Sequence, residues 1–211
     1  VRRPGWFLVP TARYRYASWH LDDQANGTDD TPDRGVGVFS LDSGLIFERP
    51  VAIAGDRMTQ TLEPRLYYLY SEYAEQQAIP TFDTAQLNFN FNQLFRDDRF
   101  SGPDRVGDAN QISAAVTSRF IDSNGLERAR FSAGQIFYFE DRKVSLNSPL
   151  QNWLLLQPLD TERSALVLET VLQPRDNLRF SADLQWDQEH SNIDEGSIAV
   201  QYQAANDALL N

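Results

Sequence analysis

Two histidines, no cysteine and thirty carboxylates bound the chemistry this chain can do. Within it there is no thiol nucleophile, no Cys-based zinc site and no disulfide framework. His20 and His190 each stand beside acidic residues, so a Ser-His-Asp arrangement is formally available. Neither is accompanied by a Gly-x-Ser-x-Gly elbow or a comparable local signature. Both fall at the ends of expected strands next to long connections, where a solvated imidazole is ordinary, and catalysis is not expected. Asp22, Asp23, Asp29, Asp30 and Asp33 crowd one loop and offer oxygen ligands of the kind Ca²⁺ or Mg²⁺ takes. Their order relative to glycine does not match an EF-hand, so a solvated acidic loop is the preferred reading, with no metal or cofactor expected. Asn26-Gly27-Thr28 matches a glycosylation sequon, which matters only in a eukaryotic secretory setting.

The more telling charges are embedded in segments that alternate apolar with polar: Arg13, Arg15, Glu63, Arg65, Arg119, Arg128, Arg130 and Asp183. Two uses are open to them. They can pair with one another to satisfy a wide, wet interior, which is the preferred reading, or they can form a polar track for a charged or sugar-rich cargo. A nucleic-acid partner is not expected: 19 basic residues stand against 30 acidic ones, a net charge of -11, and Lys143 is the only lysine.

The elements that must position these charges follow a period of two rather than 3.6. In Met58–Tyr70, Met58, Leu62, Leu66, Tyr68 and Tyr70 share a face opposite Thr59, Thr61, Glu63 and Arg65. Val36–Glu48, Gln111–Asp122, Glu127–Phe139 and Leu178–Asp187 split the same way, putting Phe131, Phe180 and Leu184 on apolar faces. Leu8–Leu21, Ser164–Leu172 and Gly196–Gln203 are less tidy, the second being apolar on both faces apart from Glu169. Gln135 sits on the apolar side of its segment without evident reason.

The connections between segments alternate in length. Residues 22–35, 71–110 and 140–163 are long, with 188–195 intermediate; 49–57, the Asn124-Gly125 turn, 173–177 and 204–207 are shorter. No run approaches the ~20 apolar residues of a membrane helix, and 13 Phe, 8 Tyr and 4 Trp argue against disorder. A soluble β-sandwich binding module would also give short alternating strands, but only an outer-membrane barrel has reason to gather the long loops at one end. The expected fold is therefore all-β: an antiparallel transmembrane β-barrel, here about eight consecutive strands of a larger one. Leu62, Leu66, Tyr68, Phe131, Phe180 and Leu184 are then lipid-facing, the eight charges above face the lumen, and aromatics near strand ends form an interfacial girdle. A mean hydropathy of -0.48 agrees with a wall in which every second residue meets water. Val1-Arg2-Arg3-Pro4 and Ala208-Leu209-Leu210-Asn211 read as cuts through a longer chain.

Certain stretches are recognisable. Thr59-Gln60-Thr61-Leu62-Glu63-Pro64-Arg65-Leu66-Tyr67-Tyr68-Leu69-Tyr70 resembles a hallmark strand of the LptD family of lipopolysaccharide-assembly proteins. The similarity continues through Leu94–Arg105, Ala109–Gln111, Val116–Arg119 and Ser132–Phe139, in the family's order and approximate spacing. That resemblance implies a bacterial outer-membrane barrel that inserts lipopolysaccharide into the outer leaflet, not an enzyme. It implies as partners an LptE-type lipoprotein plug, lipopolysaccharide, outer-membrane lipid and a periplasmic lipopolysaccharide bridge reached through an N-terminal jelly-roll. Residues 1–211 would then form part of one barrel domain, with the jelly-roll and the closing strands lying outside them. An outer-membrane enzyme, such as a barrel lipase or protease, is the alternative of another class.

Overall fold

The computed structural model describes residues 1–22, 29–53, 55–146 and 160–203 and the backbone of 209–210. Alternation, backed by β-branched and aromatic residues, produces long strands: β1 (Arg2–Arg3), β2 (Trp6–Ser18), β3 (Asp33–Leu45), β4 (Phe47–Ile53), β5 (Asp56–Ser71), β6 (Ala109–Asp122), β7 (Glu127–Tyr138), β8 (Leu166–Arg175), β9 (Leu178–Asp187), β10 (Asn192–Gln203) and β11 (Leu209–Leu210). They form one open antiparallel sheet in the order β1-β2-β3-β5-β6-β7-β8-β9-β10-β11, with β4 paired to β5.

β4 corrects the expectation that 49–57 is a connection. Val38↔Ser71 in β3 and Phe47↔Leu62 in β4 keep one register against β5, so β3 and β4 are a single crossing strand interrupted at Ile46. The described residues therefore make eight crossing strands, flanked by two short edge pairs. Leu45 and Ile46, left out of the pairing, fall opposite Pro64 and Glu63, and proline has no amide to give the ladder. Pairing to β6 lapses beside it as well, between Gln60 and Glu63. There Thr61 substitutes side-chain and carbonyl bonds, accepting from the Arg119 amide (3.2 Å) and the Ser118 hydroxyl (2.9 Å).

The three long connections, 19–32, 72–108 and 139–165, leave from one end of the sheet, and 54–55, 123–126 and 176–177 from the other. At the Asn124-Gly125 turn, Gly125 supplies a φ of 83° and donates to Asp122 O (3.0 Å). The connection expected across 188–195 is shorter than anticipated, because β10 begins at Asn192. Asp23, the 26–28 sequon and the 204–207 turn lie outside the described residues.

The sheet has one bare face and one covered face. The bare face carries Leu62, Leu66, Phe131 and Phe180, all exposed, together with the half-buried Tyr68 and Leu184. Tyr14, Tyr16, Tyr70, Phe137, Phe139 and Trp186 are exposed toward the long-loop end. Gln135, a polar residue on this side, is buried at that end, donating to Ser164 O (2.7 Å) and Gln188 Oε1 (3.2 Å). The core lies against the other face, where residues 72–108 fold back onto the strands.

Candidate functional site

The covered face is graded along its strands. β5 presents Thr61, Glu63 and Arg65, then Tyr67, Leu69 and Ser71; β7 presents Arg128, Arg130 and Ser132, then Gly134, Ile136 and Tyr138. On these two strands charge occupies the short-turn half and apolar surface the loop half. Onto the apolar half settles a 3₁₀ turn at Phe91–Phe95, which Asn90 caps by accepting the Asn92 amide (3.0 Å). Leu94 is fully buried, with Phe89, Ile136 and Val167 around it. Phe95 stands edge-on to Tyr67 (6.3 Å) and lies beneath the Arg65 guanidinium (3.7 Å). Upstream, Val36, Val38, Tyr67, Leu69 and Val106 make a second buried cluster.

Polar groups stitch this returning segment together. Buried Arg34 donates to Gln76 Oε1 (3.0 Å) and Pro103 O (2.9 Å), while Gln76 bonds both backbone groups of Val106 (2.9 Å each). Asp104 accepts the Phe82 and Asp83 amides (2.8 Å each). Residues 139–146 join through Asp108, which accepts the Lys143 (2.7 Å) and Val144 (3.0 Å) amides, and through Arg99, which donates to Asp108 O (2.7 Å) and Val144 O (2.5 Å). Phe100, Val144 and Leu146 close a small apolar cluster between the two segments.

Burial pushes the Asp98 carboxyl up, against the pull of the Phe100 and Gly107 amides and of Arg15 and Arg99. Asp108 is held low: its own burial is outweighed by the Val144 amide, Arg99 and the Lys143 amide. A depressed native pKa contributes stability above the unfolded value near 3.9, and that contribution is lost as pH falls through the native value. Asp98 has the opposite sign. Asp108→Asn should therefore loosen the 99–108 and 143–146 contacts at pH 7, read as faster proteolysis within 72–108. The wild-type protein should show comparable loosening only below roughly pH 4. Equal cleavage of both proteins at pH 7 would count against the staple.

The eight charges singled out from sequence do not act as one group. Arg13 and Arg15 hold the folded segment: Arg13 meets Asp97, and Arg15 meets Asp97 (3.0 Å) and Asp98 (2.6 Å). Arg65 is bidentate on Asp42 (2.8 Å twice). Arg119 and Arg130 are direct cross-strand neighbours, a repulsive placement that Glu127 relieves by approaching both (3.7 and 3.6 Å). The line extends to Glu63 (3.3 Å from Arg119) and Glu169 (2.8 Å from Arg130), spanning β5 to β8. Arg128 is tied to Asp122 and Asp176 (2.7 Å each) near the short turns. Asp183 stands apart, opposite Glu169 on β8, and accepts the Ser197 hydroxyl (3.1 Å).

Ion pairs open to water are worth little, so those of Arg65, Arg119, Arg128 and Arg130 mainly neutralise the face, while Arg13 and Arg15 also tether the folded segment through Asp97 and the buried Asp98. The carboxylate partners Asp42, Asp97, Asp98, Glu127 and Glu169 were not singled out as site residues from sequence, although Glu169 stands out in its apolar segment and the Arg96-Asp97-Asp98-Arg99 run marks two more. His20 lies 3.6 Å from Asp22 and His190 2.6 Å from Asp187, in connections at opposite sides of the sheet. Among the described residues no group of three or more His, Asp or Glu could hold a metal ion.

A long-stranded open sheet with a bare apolar face, an ion-paired opposite face and its long loops at one end is a segment of transmembrane β-barrel wall. The family model described as LPS transport system D matches residues 1–211. Three relatives, each named LPS-assembly protein LptD, align with almost all of the chain. That from Pseudomonas aeruginosa (strain LESB58) is 41% identical over 96% of this chain and 24% of its own length. That from Pseudomonas putida is 39% identical over 93% and 23%, and that from Xylella fastidiosa (strain 9a5c) 39% over 98% and 26%. The chain belongs to the LptD family. It spans about a quarter of the length of these curated relatives.

Proposed function

We propose that these residues form a stretch of wall in an outer-membrane barrel that delivers lipopolysaccharide to the outer leaflet. The bare face meets lipid through Leu62, Leu66, Tyr68, Phe131, Phe180 and Leu184. The covered face borders a hydrated lumen through Arg13, Arg15, Glu63, Arg65, Arg119, Arg128, Arg130 and Asp183. The observation that carries this reading is the contrast between exposed leucine and phenylalanine on one face and the Glu63-Arg119-Glu127-Arg130-Glu169 line on the other. Lipopolysaccharide is anionic and sugar-rich, which suits a wet, charged passage for its head group while the acyl chains take a lipid route. The role is transport, not catalysis. In the full-length protein an LptE-type lipoprotein plugs the lumen, and a periplasmic bridge delivers cargo through an N-terminal jelly-roll preceding this wall.

Photocrosslinkers placed at positions 65, 119 and 130 of the full-length protein should capture the plug and lipopolysaccharide. Capture of neither from any of the three positions would overturn the reading. The folded-back segment limits access to the lumen. Deleting Thr84–Asn92, which removes the Phe89 anchor and the Asn90 cap, should raise entry of a large hydrophilic antibiotic or loosen the plug. Unchanged behaviour in both assays would sink that role.

A further inference from the structure

Asp183 poses a question that the ion-pair line leaves open, since it bears charge on the covered face and has no salt-bridge partner among the described residues. It lines a cavity of about 300 Å³ roofed by residues 88–92 and floored by β8, β9 and β10. The roof is held by Gln185, which donates to Phe89 O (2.7 Å) and to Glu195 Oε2 (2.8 Å). We propose that this cavity is a saccharide site that admits uncharged, hydroxyl-rich sugar and turns phosphate away.

The lining decides the chemistry. Glu169 meets Arg130 through Oε1, Asp183 accepts Ser197 through Oδ2, and Glu195 accepts Gln185 through Oε2. These bonds each use one carboxylate oxygen of a residue that lines the cavity, so each carboxylate has a second oxygen with which to accept a hydroxyl. The side chains of Asn88 and Asn92 add groups that both donate and accept, and half-buried Phe91, edge-on to Phe95 at 5.8 Å, supplies an apolar wall. Mixed amide and carboxylate acceptors beside an aromatic wall suit a sugar, whose hydroxyl edge donates and whose C–H face is apolar. Among the described residues no arginine or lysine lines the cavity. A phosphate entering it would face Asp183 and Glu195, neither of which has a salt-bridge partner among the described residues, beside a Glu169 already neutralised by Arg130 (2.8 Å), and that net negative lining selects against it. The volume suits one or two sugar rings, so the cavity would hold a short piece of a passing chain, not a whole head group.

The inference rests on the lipopolysaccharide reading above, and its test is separable from it. The full-length protein with its plug lipoprotein, in detergent, is dialysed against tritiated, lipid-free neutral oligosaccharide cleaved from lipopolysaccharide. Saturable binding is expected. Asp183→Asn and Glu195→Gln should each weaken it about tenfold, the size of losing a hydrogen bond to a charged acceptor. Phosphorylated lipid lacking the sugar chain should not compete. Folding of each variant is checked by the fast migration of an unheated barrel on denaturing gels. Binding unaffected by both substitutions, absence of binding, or full competition by the phosphorylated lipid overturns the cavity assignment. The transport reading fails on a different result: lipopolysaccharide still reaching the surface of cells depleted of the protein.

Discussion

Leu66→Arg in the full-length barrel should cost roughly 2–4 kcal/mol of folding stability in lipid, as expected of a cation placed at mid-bilayer on a lipid-facing strand position. Leu66 is 49% exposed at the middle of β5, with Ala114 as its β6 neighbour, so no partner within the sheet accounts for its apolarity. Leu184→Arg on β9 should behave likewise. The control is Ser181→Arg, which puts the same cation on the covered face of β9, beside Asp183, where water and a carboxylate receive it. Urea titration of the barrel refolded into vesicles reads the difference. Two losses of equal size would mean that both faces are packed in protein, the condition of a sandwich core and not of a membrane wall. Thr61, otherwise a natural inward control, is unsuitable: it is 4% exposed, donates to Glu63 Oε1 (2.7 Å) and accepts the Arg119 amide, so arginine there would disrupt a hydrogen-bond junction.

The case of Thr61 shows what alternation reveals and what it hides. A period of two assigns residues to faces, and the strands at Met58–Tyr70 and Leu178–Asp187 emerge with the expected parity because every second side chain there is apolar. Parity says nothing about what covers a face. Thr59, Thr61, Glu63 and Arg65 mark a polar face, yet the same parity continues into Tyr67 and Leu69, which are 5% and 3% exposed beneath the folded-back segment. Ser164–Leu172 is apolar on both faces for the same reason, since Val167 lies under Phe89 and Leu94. The gradient from charge to apolar surface was present in the residues, but its meaning depended on residues 72–108, a connection with no periodicity of its own.

β4 was hidden by composition. Arg49 and Pro50 look like connection chemistry, and only the register shared with β3 identifies Phe47–Ile53 as the continuation of that strand. Arg49 is tolerated because Gln60 on β5 accepts from its guanidinium (2.9 and 2.7 Å), and Pro50 because β4 pairs on one side alone. The ion pairs were legible by half. The arginines stand out against alternating strands, while most of their carboxylate partners come from other strands or from the folded segment, and one sequence does not pair them.

Gly134→Leu should release the 3₁₀ turn from the wall. A Cβ at this position would lie 2.5 Å from Leu94 Cδ1, 2.8 Å from Ala115 Cβ and 3.1 Å from Ala114 O. The leucine methyl could move aside; the alanine and the backbone carbonyl belong to the paired strand β6 and cannot yield without disturbing the ladder. Gly134 is thus the notch that lets Leu94 sit fully buried between β7 and β8, and filling it costs about 1–3 kcal/mol by overpacking. The ladder bears part of that strain through Ala115 and Ala114, but the closest contact is with Leu94 on a short 3₁₀ turn that has little local stability, so the segment gives way before the strands do. Proteolysis within 72–108 should accelerate while unheated gel migration still reports a folded barrel. Shape complementarity adds a sharper expectation. Gly134→Ala alone should loosen the segment, and pairing it with Leu94→Ala should recover part of the loss, because the smaller knob leaves room for the new methyl. Simple additivity of the two substitutions would mean that residues 94 and 134 are uncoupled and that some other contact seats the turn.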